Sequence, residues 1–89
     1  MQKHTKVYLE FFPSHNGFYQ CEICHKQATE IHHIQRRSEF GSKTKDLQDV
    51  IENLIALCRD CHEKAHGNIY TKEFLKETHE KQMKIFSND

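Results

Sequence analysis

Eighty-nine residues allow one domain at most, built around a thin core. Thirteen basic residues against thirteen acidic ones cancel, with eight histidines in reserve. That balance argues against tight, non-specific binding to nucleic acid and leaves room only for a local basic patch. The amino-terminal MQKHTKVYLEFF has no long apolar run or small-residue cleavage site, so neither secretion nor membrane insertion is expected. A cytoplasmic chain is the expectation.

The elements are taken in chain order. Val7, Tyr8, Phe11 and Phe12 share one helical face, which predicts a helix over 5–12, stopped by Pro13 and the run Ser14-His15-Asn16-Gly17. Cys21 and Cys24 then form a short knuckle. Thr29, Ile31 and Ile34 are β-branched and suit a strand across 28–34. Residues 35–48 are polar, with Phe40-Gly41-Ser42 as a turn signal, and read as a loop with a mild basic excess. The apolar run NLIALC, 53–58, predicts a second strand, and 59–66 a short helix ended by Gly67 just past its terminus. Thr71 is placed to cap a last helix reaching about Phe86. Its expected apolar face is Phe74, Leu75, Thr78, Gln82, Met83 and Phe86, flanked by the pairs Glu77–Lys81 and Glu80–Lys84. Those charges read as a solvated face.

Small chains commonly need a staple, and Cys21, Cys24, Cys58 and Cys61 supply the candidates. Thiolates at i and i+3 converge on one ion from a tight knuckle, and two such pairs complete the tetrahedron that zinc prefers. In a reducing compartment, metal ligation is favoured over disulfides or redox chemistry. Four thiolates close the site, so this zinc would hold the fold and perform no reaction.

The histidines need a different explanation. His62 and His66 are four apart on the predicted short helix and share a face, about 100° round from Cys61. His32 on the first strand is the natural third ligand if that strand packs against the helix. Three ligands leave coordination positions for water or a phosphate oxygen. His33, the next residue on the strand, points to the opposite face and stays free of metal. Its imidazole is then available as a general base for a water attacking phosphorus. His4, His15, His25 and His79 read as surface or hydrogen-bonded core residues.

The succession IHHI followed by IENLIALCRDCHEKAH resembles the His-Asn-His (HNH) endonuclease signature, in the subgroup with two flanking C-x-x-C pairs. The likeness spans about 21–67, and implies one nuclease domain over 1–89. The implied fold is small α+β: a zinc-stapled ββα-metal (His-Me finger) core with flanking amino- and carboxy-terminal helices. By this resemblance His32, His62 and His66 hold a catalytic divalent metal (Mg²⁺, Mn²⁺, Ni²⁺ or Zn²⁺), and His33 is the general base. Asn53 matches the central Asn that constrains the loop orienting the base. Two departures stand out. Many members have Asp where His32 stands, and histidine there shifts preference toward softer ions. Members also differ in whether a residue at the position of His66 binds metal.

Arg36, Arg37, Arg59 and Lys64 are candidate phosphate contacts by their nearness to the motif. The resemblance implies a DNA substrate and points to phage or mobile-element nucleases, including small proteins beside packaging machinery; the setting would then be the host cytoplasm. A neutral chain would borrow part of its DNA grip from such a partner or from a second protomer. The competing expectation is a non-catalytic zinc-stapled module that binds nucleic acid or protein, for which His33 and Asn53 have no physical need.

Overall fold

The computed structural model describes residues 3–12, 14, 18–36 and 39–87. The stop signal at Pro13, His15 to Gly17, and Arg37 lie outside the described residues.

Helix α1 spans Lys3–Phe11, beginning two residues earlier than the apolar periodicity suggests. Its inward face carries Tyr8, with Phe12 just beyond its end, both buried. Strands β1 (Glu30–His33) and β2 (Leu54–Leu57) pair antiparallel, with His32 opposite Ile55 and His33 opposite Leu54. A two-stranded sheet is marginal in water by itself. Here β2 is buried at every residue, covered by α1 and by α2 (Arg59–His66), which matches its uninterrupted apolar sequence. The loop after β1 is less open than expected. Gly41 and Thr44 close a turn by exchanging hydrogen bonds, and two 3-10 turns follow, at Lys45–Asp49 and Ile51–Asn53.

Helix α2 has the expected bounds, but its stop lies one residue later than expected. Gly67 has an ordinary φ of −81°, whereas Asn68 takes the left-handed φ of 63°. The Asn68 and Ile69 amides donate back to the Ala65 and Lys64 carbonyls, a Schellman ending with asparagine in the glycine-favoured place. Thr71 does cap α3 (Lys72–Ser87): the Phe74 amide donates to its Oγ1 at 3.1 Å. The inward stripe of α3 is rotated from the expected one. Leu75 and His79 are buried, while Phe74 and Phe86 are exposed. Phe74 stacks on Tyr70, and Phe86 lies edge-on against Phe12.

The rotation has a polar cause. Glu22, inside the first cysteine knuckle, is buried and accepts from the Tyr8 hydroxyl at 2.6 Å and the Ala56 amide at 3.3 Å. Its other oxygen faces His79 Nδ1 at 2.8 Å, and His79 Nε2 reaches the Ile51 carbonyl at 2.6 Å. One carboxylate thus ties the knuckle to α1, β2 and α3. Burial, and then the Glu22 charge, hold the Tyr8 phenol in its neutral form. Leaving any of these groups unpaired would be costly, which is why His79 and not Thr78 turns inward.

Candidate metal and nuclease site

The four cysteines come together at one end of the sheet. Cys21 and Cys24 flank a turn whose His25 has a left-handed φ of 66°. The Cys21 amide donates to the Lys26 carbonyl and the His25 amide to that of Cys21. Cys58 leads β2 into α2, and Cys61 lies in the first helical turn. All four are free thiols whose sulfurs lie within 4.8 Å of one another, Cys24 and Cys58 at 3.4 Å. Zn–S bonds of about 2.3 Å place sulfurs about 3.8 Å apart around a tetrahedron, so the set fits zinc. The thiols affect one another in opposite senses. The Cys61 backbone N–H brings Cys58 down to about 7, while burial and then the neighbouring thiols push Cys61 up. A shared cation is what allows such a packed set to ionise together.

Across the sheet, β1 offers His32 to the face on which α2 presents His62 and His66. The His32 ring stands 5.1 Å from that of His62 and 5.4 Å from that of His66, edge-on to both. The two α2 rings approach through their Nε2 atoms at 3.0 Å. One nitrogen from each ring falls in a single group within 4.8 Å. Burial, then the charges of His62 and His66, lower His32 to about 4, and burial lowers His62. Neutral imidazoles with inward lone pairs are the ligand form transition metals require. Three nitrogen donors fit a borderline divalent ion and leave coordination positions open.

Glu30 contributes to this face too. It lies two residues before His32, on the same side of β1, and its Oε2 is 2.7 Å from His62 Nδ1. That contact holds the proton on Nδ1 and turns the Nε2 lone pair toward His32 and His66. Glu30 was not among the residues expected from sequence, although its i, i+2 relation to His32 is a usable signal.

His33 points away from this group. Its Nε2 lies 2.8 Å from Asp49 Oδ1, with both side chains about seven-eighths buried, and the His4 ring is 5.0 Å distant. Asn53 supplies the scaffold behind the contact. Its Oδ1 accepts from the Gln35 amide at 2.7 Å, and its Nδ2 donates to the Gln35 and Gln48 carbonyls at 3.1 and 2.9 Å. One buried side chain therefore clamps the residue two beyond His33 to the residue before Asp49. Neither Asp49 nor His4 was anticipated, since no local periodicity links either to β1.

The basic candidates separate. Arg36 borders a small cavity shared with His32, His66, Tyr70 and Lys72, and Lys72 pairs with Glu39. Arg59 is exposed and lies 3.6 Å from Glu63. Lys64 is half a helical turn round from His62 and His66, with its ammonium 5.8 Å over the Tyr70 ring.

A protein-family model for HNH endonuclease matches residues 21–68, just over half of the chain, and the chain belongs to that family. The matched span contains both cysteine pairs, the three clustered histidines, His33 and Asn53, but not His4. The family is a nuclease family acting on DNA. No curated protein and no solved structure matches the chain. No helix among the described residues is long and apolar enough to cross a membrane.

Proposed function

We propose that this chain is a metal-dependent DNA endonuclease with a single HNH domain. The carrying observation is the split of two neighbouring histidines, with His32 turned to His62 and His66 and His33 turned to Asp49. A non-catalytic module would need the first arrangement at most.

A divalent cation held by His32, His62 and His66 would supply charge stabilisation at the scissile phosphate and its leaving oxygen. The remaining work belongs to the chain. Asp49 accepts from His33 Nε2–H, which fixes the tautomer with a lone pair on Nδ1. That nitrogen takes the proton from a water attacking phosphorus, as the ester oxygen on the far side departs and is protonated from solvent. Asn53 positions the dyad by holding both chain segments behind it. His33 is the last residue of β1, and the reading places the scissile phosphate across that strand end. Arg36 would contact a neighbouring phosphate beside His66, and Arg59, on the His62 side of α2, the next. Lys64 faces away and is the weakest candidate; Arg37 follows Arg36 in this role. One active site cuts one strand, so a monomer nicks, and a homodimer or a phage packaging partner would be needed for a double-strand break.

Cleavage of supercoiled plasmid with Mg²⁺, Mn²⁺, Ni²⁺ or Zn²⁺ tests this reading. Wild type should nick, and His33→Ala should lose at least a hundredfold in rate while keeping its fold and the ion held by His32, His62 and His66. His32→Ala should instead lose the second metal. Equal cleavage by wild type and His33→Ala would remove His33 from the mechanism. No cleavage with any ion by a folded, metal-loaded protein would assign the chain to the binding module.

A further inference from the structure

The surroundings of His33 hold more donors than a base requires. One ring nitrogen of His4, one of His33 and a carboxylate oxygen of Asp49 lie within 4.8 Å of one another. They come from three separate elements, α1, β1 and the first 3-10 turn. All three residues keep some exposure, about an eighth of the side chain at His33 and at Asp49, so the set is not sealed from solvent. Donors around a four-coordinate ion with bonds of about 2.0–2.1 Å stand about 3.3 Å apart. The set brackets that spacing: His33 and Asp49 stand 2.8 Å apart, and no two of the three donor atoms are more than 4.8 Å apart. Two imidazoles and one carboxylate suit Zn²⁺, Ni²⁺ or Co²⁺ and suit Mg²⁺ poorly.

We propose that His4, His33 and Asp49 form a second transition-metal site, distinct from the His32–His62–His66 group, and that occupying it switches the nuclease off. The binding half stands on the donor geometry alone; the inhibitory half rests on His33 being the base. The inhibition follows from imidazole chemistry. A neutral ring bound to metal through one nitrogen carries its proton on the other, whichever nitrogen is bound. No lone pair then remains to take a proton from water. Asp49 is diverted at the same time, because the carboxylate that held the tautomer becomes a ligand. His4 lies outside the family-matched residues, so this control belongs to the amino-terminal helix and not to the matched core.

The test counts ions and measures cleavage separately. In a His32→Ala/His62→Ala chain under excess Zn²⁺, native mass spectrometry should find two ions, one at the cysteines and one at the new site. Adding His4→Phe, which keeps a ring against His33 but no donor, should reduce the count to one. Asp49→Asn in the same background serves as an independent variant, and intact cysteine-bound zinc checks the fold in each. In the otherwise unaltered protein, cleavage should rise and then fall at least tenfold as Zn²⁺ or Ni²⁺ increases, with no fall in Mg²⁺. His4→Phe should abolish the fall. A single ion in the double variant, or a count unchanged by both added substitutions, overturns the site. Undiminished inhibition in His4→Phe overturns the switch. Two ions without cleavage under any metal would defeat the nuclease reading while leaving the site standing.

Discussion

The cysteine cluster and the histidine face are two candidate metal-ligand sets that share helix α2, built to opposite ends. Three of the four thiols are buried, and the Glu22–His79–Tyr8 network packs beside them. The histidine face has one member exposed and two half-buried, beside a cavity edged by Arg36 and Lys72. A closed set with no open position can only hold the fold; a three-donor set facing solvent leaves room for substrate. Helix α2 joins them, with Cys61 turned to one and His62 and His66 to the other. Any disturbance at the cysteines is therefore expected to reach the histidines, while the reverse is not.

The largest effect should come from the cysteines. Cys58→Ser or Cys61→Ser, or removal of zinc by a strong chelator, removes binding energy of about 10–16 kcal/mol, as much as a small domain's whole stability. Loss of the helical circular-dichroism signal together with metal would establish this, and a folded zinc-free protein would break the contrast. Next is Glu22→Ala, which strands His79, the Tyr8 hydroxyl and the Ala56 amide in the core. A loss of about 3–5 kcal/mol in denaturant unfolding is expected. Glu30→Gln tests the open face. It should leave the melting temperature nearly unchanged yet weaken ion binding at the histidines about 10–100-fold by calorimetry. An equal loss of zinc at the cysteines would mean that the two regions are not separable. The smallest effect belongs to the stop of α2: Asn68→Ala forces a Cβ-bearing residue without a polar side chain into left-handed backbone, costing about 1 kcal/mol, while Gly67→Ala should be nearly neutral.

What could be read in advance was local. C-x-x-C spacing, the i, i+4 relation of His62 to His66, the alternation of His32 and His33, and the cap at Thr71 are periodicities that backbone geometry enforces within a few residues. The bounds of α2 followed for the same reason. The family likeness added Asn53, whose three side-chain bonds show how one amide can close a loop of more than a dozen residues.

The rest was decided by packing across long stretches of chain. Asp49 meets His33 from sixteen residues away, and His79 meets Glu22 from fifty-seven. Nothing in the neighbourhood of either residue specifies its partner. The sequence pattern puts Thr78 on the inward stripe of α3, and His79 takes that place because Glu22, buried by the knuckle, requires a partner. His4 likewise became a candidate ligand only because α1 lies against the turn that carries Asp49. The chain by itself determined the local candidate pairs, Cys21 with Cys24, Cys58 with Cys61 and His62 with His66. Tertiary structure decided which carboxylate faces which ring, because that depends on how separate elements share one core.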